Sequence, residues 1–71
     1  MTQANFQIIP TGSDYRLEPL TDMACSLAIH CRRHGNNLIY PTLVAAEGAR
    51  CRMDIAIENR NGRPWATFER R

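Results

Sequence analysis

The chain has 71 residues, of which 44% are hydrophobic and 23% charged, and its net charge is +2 at pH 7. This length and composition predict a single globular domain over residues 1–71. No run approaches the roughly 20 apolar residues that cross a bilayer, so no membrane partner is expected. Three cysteines are too few for a disulfide scaffold, and no apolar secretory stretch follows Met1. These features predict reduced thiols and a cytoplasmic location.

The first predicted elements are two short strands at residues 6–9 and 15–18, which are rich in β-branched, aromatic and other β-prone side chains. Residues 10–14 between them are Pro-Thr-Gly-Ser-Asp, a cluster of turn formers. The simplest interpretation is a hairpin.

A helix is predicted next, capped by Thr21 and running to about His34, where Gly35 can adopt the left-handed conformation that ends helices. At 100° per residue, one stripe of this helix is apolar and is expected to face the core. Its members are Leu20, Ala24, Leu27 and Cys31, with Met23 and His34 at its edges. Cys25 and Ile29 fall on the opposite side.

The segment from residue 38 to 46 is ambiguous. Leu38-Ile39-Tyr40 favours a strand, which we extend to about Val44. The alternative is a short helix that starts with Pro41 in its first turn and ends near Gly48.

Residues 50–58 predict the clearest strand of the chain, because apolar and charged side chains alternate with a period of two. Asn61-Gly62 follows, the strongest short signal for a hairpin turn, and residues 65–68 are the predicted return strand, with Pro64 at its start. The predicted order is ββ-α-β-β-β, an α+β fold with one helix packed on one face of a small antiparallel sheet.

Potential metal ligands cluster in the predicted helix: Cys25, His30, Cys31 and His34. Cys51 could add a distant ligand, but this spacing matches no usual zinc site, so neither a metal nor another cofactor is expected. Ser26 and His30 are four residues apart without a third group to orient them. Asp54 and Glu58 lie among arginines, which is typical of a solvated surface. The sequence therefore predicts a protein that is not an enzyme.

All nine residues of the Lys and Arg type are arginines. Their charge is unevenly distributed along the chain, since residues 50–71 have a net charge of +3 and residues 1–49 a net charge of −1. A tryptophan beside arginines is the usual composition of a protein–protein hot spot, although either Trp65 or Phe68 is expected to face the core. The predicted binding residues are Arg50, Arg52, Arg60, Arg63, Trp65 and Arg70.

The size, the strand–helix–hairpin order and the segment Asn59-Arg60-Asn61-Gly62-Arg63-Pro64-Trp65 resemble small inhibitors encoded by phages and mobile elements, above all the anti-CRISPR proteins. The resemblance implies an inhibitor in the host cytoplasm that occupies the surface of a larger nucleoprotein complex. The alternative from the residues is nucleic-acid binding, with the same arginines on phosphates. Because so short a chain has a small core, we also expect a homodimer.

Overall fold

A computed structural model describes residues 4–65, in which three strands and two helices follow one another along the chain. The elements are β1 (Phe6–Pro10), β2 (Tyr15–Pro19), α1 (Asp22–Arg33), β3 (Ile39–Tyr40) and α2 (Leu43–Asn59). The strands form one antiparallel sheet in the order β1-β2-β3. The predicted α+β class is confirmed, whereas the predicted order is not fully matched, because a second helix replaces the predicted strand at residues 50–58.

The N-terminal hairpin is confirmed, with each strand one residue longer than predicted. Ile8 pairs with Leu17, and Pro10 with Tyr15, on either side of the turn. Thr11 closes the turn, since its backbone N–H donates to the carbonyl oxygen of Asp14 at 2.8 Å. The turn formers of the sequence thus fix the register that brings Ile8 and Leu17 onto one face.

Helix α1 also agrees with its prediction. The Thr21 hydroxyl accepts a hydrogen bond from the backbone N–H of Ala24 at 3.1 Å, and Gly35 after the helix has φ +87°. Ala24 and Leu27 are buried as expected, together with Ala28. Leu20 is an exception within the predicted stripe, because it precedes the capping residue and is 41% exposed.

Leu38 links α1 to β3 in an unusual backbone conformation. It is fully buried yet has φ +63°, which costs a residue with a side chain roughly 1–2 kcal/mol. Its N–H donates to Oδ1 of Asn36 at 2.9 Å, and its carbonyl accepts from the N–H of Leu17 at 3.0 Å. Burial of the whole side chain contributes about 2 kcal/mol and offsets the strain.

The predicted strand over residues 38–44 ends at Tyr40, and the predicted strand at residues 50–58 is wrong. A single helix, α2, occupies Leu43–Asn59, and Thr42 caps it by accepting from the N–H of Ala45 at 3.1 Å. The helix alternative for this region is therefore closer to the structure, although α2 is longer and Pro41 lies just before the cap.

Packing explains why α2 is a helix despite its alternating pattern. Ala46 and Ala49 are buried and Met53 packs against the core, a spacing of three and four residues that belongs to one helix face. The two alanines let the helix backbone approach the sheet closely. Ile55, which the strand prediction put beside Met53 in the core, is 57% exposed.

The Asn61-Gly62 hairpin is also wrong. Asn61 has φ +55° and Gly62 φ +84°, the positive values that a hairpin turn needs, but here they follow the C-cap residue Arg60 and end α2. Trp65 lies in a bend rather than a strand, and the rest of the predicted return strand, including Phe68, is outside the described residues.

Both helices pack on the same face of the sheet. Phe6 and Leu17 on that face share one core with Ala24, Leu27 and Ala49 of the two helices. The other face is open, and directly paired residues that point to it include Ile9, Arg16 and Ile39. None of the helices in residues 4–65 has the length and apolar character to cross a membrane.

Because residues 43–59 form a helix, substitutions of two nearby apolar residues should lower the free energy of unfolding by different amounts. Met53→Ser should lower the free energy of unfolding by about 2 kcal/mol, because it empties part of the core, whereas Ile55→Ser should change it by less than about 0.5 kcal/mol. Isoleucine and serine have similar helix propensities, so Ile55→Ser is a clean control. Urea denaturation at low protein concentration measures both, and equal losses would contradict the helix.

Candidate functional site

The helical conformation separates the predicted binding residues. On a strand, Arg50 and Arg52 would share one face, but on α2 they point about 160° apart because successive residues turn by about 100°. Arg60 and Arg63 lie after the helix, in the turn that leads to Trp65. Arg70 is outside the described residues. The structure therefore brings together Arg60, Arg63 and Trp65, and places Arg50 and Arg52 on different sides of α2.

Arg50 belongs to a polar network that joins three elements. Its guanidinium donates to Oδ2 of Asp54 at 3.2 Å, and the Asn5 side chain donates to Oδ1 of the same carboxylate at 3.3 Å. The Thr21 hydroxyl donates to Oδ1 of Asn5 at 2.8 Å. The network ties the start of β1 and the cap of α1 to the middle of α2.

A shallow groove of about 360 Å³ lies beside this network, between residues 4–5 and one edge of α2. Its polar side chains are those of Asn5, Arg50, Asp54 and Glu58. Both oxygens of Asp54 already accept hydrogen bonds from neighbouring side chains, so its carboxylate is held as a structural acceptor. The groove consequently offers little chemistry beyond the solvated Glu58 carboxylate.

Arg60 and Trp65 form the turn that follows α2. The Arg60 guanidinium lies 4.6 Å from the Trp65 ring centroid and donates to the carbonyl oxygens of Arg63 and Pro64, each at 3.0 Å. The backbone N–H of Trp65 donates to the buried Ser26 hydroxyl at 3.2 Å. Trp65 thus packs partly against the core, and Arg60 holds the turn around it.

The candidate metal ligands and nucleophiles of α1 do not converge. The ring centroids of His30 and His34 are 4.4 Å apart with the ring planes tilted by 45°, and Nδ1 of His34 lies 2.9 Å from the carbonyl oxygen of His30. Burial raises the pKa of the Cys31 thiol, which disfavours its reactive thiolate. Within residues 4–65, no three histidine, cysteine or acidic side chains are placed to hold a metal ion.

The side of α2 opposite the core carries an apolar surface that the strand prediction missed. Val44 is 80% exposed, Ile55 is 57% exposed, and Cys51 between them is also exposed. These three residues point within about 40° of one another, and Gly48 lies beside them. We call Val44, Gly48, Cys51 and Ile55 the outward face of α2. Their spacing of four, three and four residues is the sequence signal that could have revealed it.

Charged side chains border this face on both edges. Glu47 lies on one edge and Arg52 on the other, and both are exposed. The Arg52 guanidinium runs along the face, because its Nη1 atom is 3.5 Å from where a Cβ of Gly48 would be.

Comparison with protein-family models, curated proteins and solved structures produced no match.

The Arg60–Trp65 contact predicts a specific loss of stability. Arg60→Ala removes the stacked cation and two hydrogen bonds and should lower the free energy of unfolding by about 1 kcal/mol, while changing the fluorescence of Trp65, the only tryptophan. Arg63→Ala is the matched control, since it removes only one long hydrogen bond, from Nε to the carbonyl oxygen of Arg60 at 3.5 Å, and leaves the backbone contacts of Arg63 in place. An equal effect of both variants would show that the stacking is not important.

Proposed function

We propose that this chain is a non-catalytic protein-binding module whose contact surface is the outward face of α2. The observation that carries the proposal is the exposure of Val44 and Ile55 on one side of a helix whose other side is packed against the sheet. An apolar surface with charged edges is typical of a protein contact, in which the apolar centre is desolvated and the charges select the partner.

The chemistry of the remaining surface supports binding rather than catalysis. The best-defined polar groups, Asp54 and Asn5, are engaged with each other and with neighbouring elements. Arg60 and Trp65 stabilise the turn after α2. We therefore propose α2, and not the predicted C-terminal hairpin, as the contact element. Of the predicted binding residues, Arg52 remains a polar contact, at the edge of the outward face.

Inhibition of a larger host complex, including a nucleoprotein complex, stays part of the proposal. A domain of this size acts by covering a functional surface of its target, which needs a rigid contact element and no catalytic groups. Helix α2 is such an element, because its inner side is fixed to the sheet. A cytoplasmic location also stays a proposal, supported by three free cysteines.

Nucleic-acid binding is the alternative to a protein contact, and the experiment must distinguish the two. Phosphate binding needs several arginines that reach one surface together. Arg50 is paired with Asp54, Arg60 is stacked on Trp65, and Arg52 points away from Arg50. This arrangement favours the protein partner.

The test is capture of a stoichiometric partner from host lysate by immobilised chain. Val44→Ser and Ile55→Ser should each reduce capture at least fivefold, because each removes an apolar contact worth about 1 kcal/mol or more. Ile39→Ser is the matched control, since Ile39 is 52% exposed on the open face of the sheet, away from the outward face.

Loss of capture in Ile39→Ser but not in the two α2 variants would move the contact surface to the sheet. Binding of a random DNA or RNA duplex that falls steeply with rising salt, without any protein partner, would support the nucleic-acid alternative instead.

A further inference from the structure

We propose that the outward face of α2 binds the same face of a second copy of this chain, with the two helices parallel. This inference rests on the proposed function, because it names a partner for the same surface. It follows from the spacing of the apolar residues, from the charges at the two edges and from the position of the rest of the domain.

The spacing of the outward face is that of a short coiled-coil seam. Val44, Gly48, Cys51 and Ile55 are separated by four, three and four residues, the alternation of d and a positions in a heptad repeat. The next position of the same pattern is Glu58, where the apolar seam ends one residue before the end of α2. The seam therefore spans about three helical turns.

When two copies of α2 pair through their outward faces, the rest of each domain must lie on the opposite side of its helix, and it does. Ala46, Ala49 and Met53 occupy the heptad positions f and b, on the side of α2 opposite the seam. Ala46 and Ala49 are buried there, and Met53 packs against the core. Two helices joined at the seam would then carry their sheets on the outside of the pair. Gly48 and Cys51, the smallest side chains of the face, lie at its centre, where two helix backbones approach most closely.

Charge complementarity selects a second copy and the parallel orientation. Glu47 occupies a g position and Arg52 the e position five residues later. In a parallel pair, each g residue faces the e residue five positions further along the other helix, so Glu47 of one copy faces Arg52 of the other, twice. In an antiparallel pair, g faces g and e faces e, which would bring the acidic Glu47 and Asp54 of the two copies together.

The same two residues form no pair within one helix, because a separation of five residues places them on opposite edges of the face. Their charges are therefore available to a neighbouring helix. A seam of four residues is small compared with the interfaces of permanent dimers, so we expect weak, concentration-dependent association.

The experiment measures the monomer–dimer equilibrium of the full chain by sedimentation. Glu47→Arg and Arg52→Glu should each weaken the dimer about tenfold, because each replaces two attractive pairs by two repulsive ones. The double variant Glu47→Arg/Arg52→Glu should return to within about twofold of the original constant. An equimolar mixture of the two single variants should also dimerise, since every edge then carries opposite charges.

Cys51 supplies a second readout in the same samples. A short bismaleimide, which adds one thiol to each maleimide, should join two chains through Cys51, since a parallel pair places the two thiols in one layer. Cys51→Ser should abolish this product. Ile39→Ser, outside the seam, should leave both the constant and the cross-linking unchanged, and circular dichroism verifies that each variant is folded.

A chain that remains monomeric at several hundred micromolar overturns the inference. So does a Glu47→Arg variant that strengthens association, which would indicate antiparallel helices, or a mixture of single variants that fails to dimerise. If these outcomes occur while Val44→Ser and Ile55→Ser still lose a captured protein, the proposed function stands and its partner is a different chain. If the dimer forms as described and no lysate protein is captured, self-association is the binding activity of this face.

Discussion

The packing of α2 on the sheet is the constraint on which the surface of this protein depends. Ala46 and Ala49 are almost completely buried, and they allow the helix to lie close enough for Met53 and Ile57 to reach the core formed around Leu17. Once these residues face inward, helical geometry determines the direction of every other side chain of α2. Val44, Cys51 and Ile55 must then point to solvent, and Arg50 and Arg52 must point to different sides.

Polar contacts hold the helices in place around this core. Asn5 connects the N-terminal cap of α1, through Thr21, to Asp54 on α2. After the C-terminal end of α2, the backbone N–H of Trp65 donates to the Ser26 hydroxyl, and Arg60 stacks on the Trp65 ring. Thus Arg60 and Trp65, two of the predicted binding residues, stabilise connections between elements. The exposed apolar side chains of α2, Val44 and Ile55, take no part in these contacts.

Local signals predicted the first half of the chain well. The β1–β2 hairpin and α1 are defined by residues that act on their immediate neighbours: the turn formers at 10–14, the capping hydroxyl of Thr21 and the left-handed Gly35. The prediction failed where two periods fit the same residues. Cys51, Met53, Ile55 and Ile57 alternate as on a strand, yet Met53 and Ile57 are also four residues apart, as on one helix face. Arg50 and Arg52, which would share one face of that strand, therefore lie on different sides of α2.

The sequence by itself determined the fold class, the hairpin, the first helix with its cap, and the positive-φ tendency of Asn61 and Gly62. Each of these depends on short-range sterics and hydrogen bonds that the residue types specify directly. Only the tertiary structure decided that residues 50–58 are helical, that Asn61 and Gly62 end a helix rather than form a hairpin, and that Val44 and Ile55 share an exposed surface. The reason is physical: an amphipathic segment adopts the period whose apolar side fits the surface available to it, and here that surface is the sheet built by β1 and β2 with Leu38 beside it.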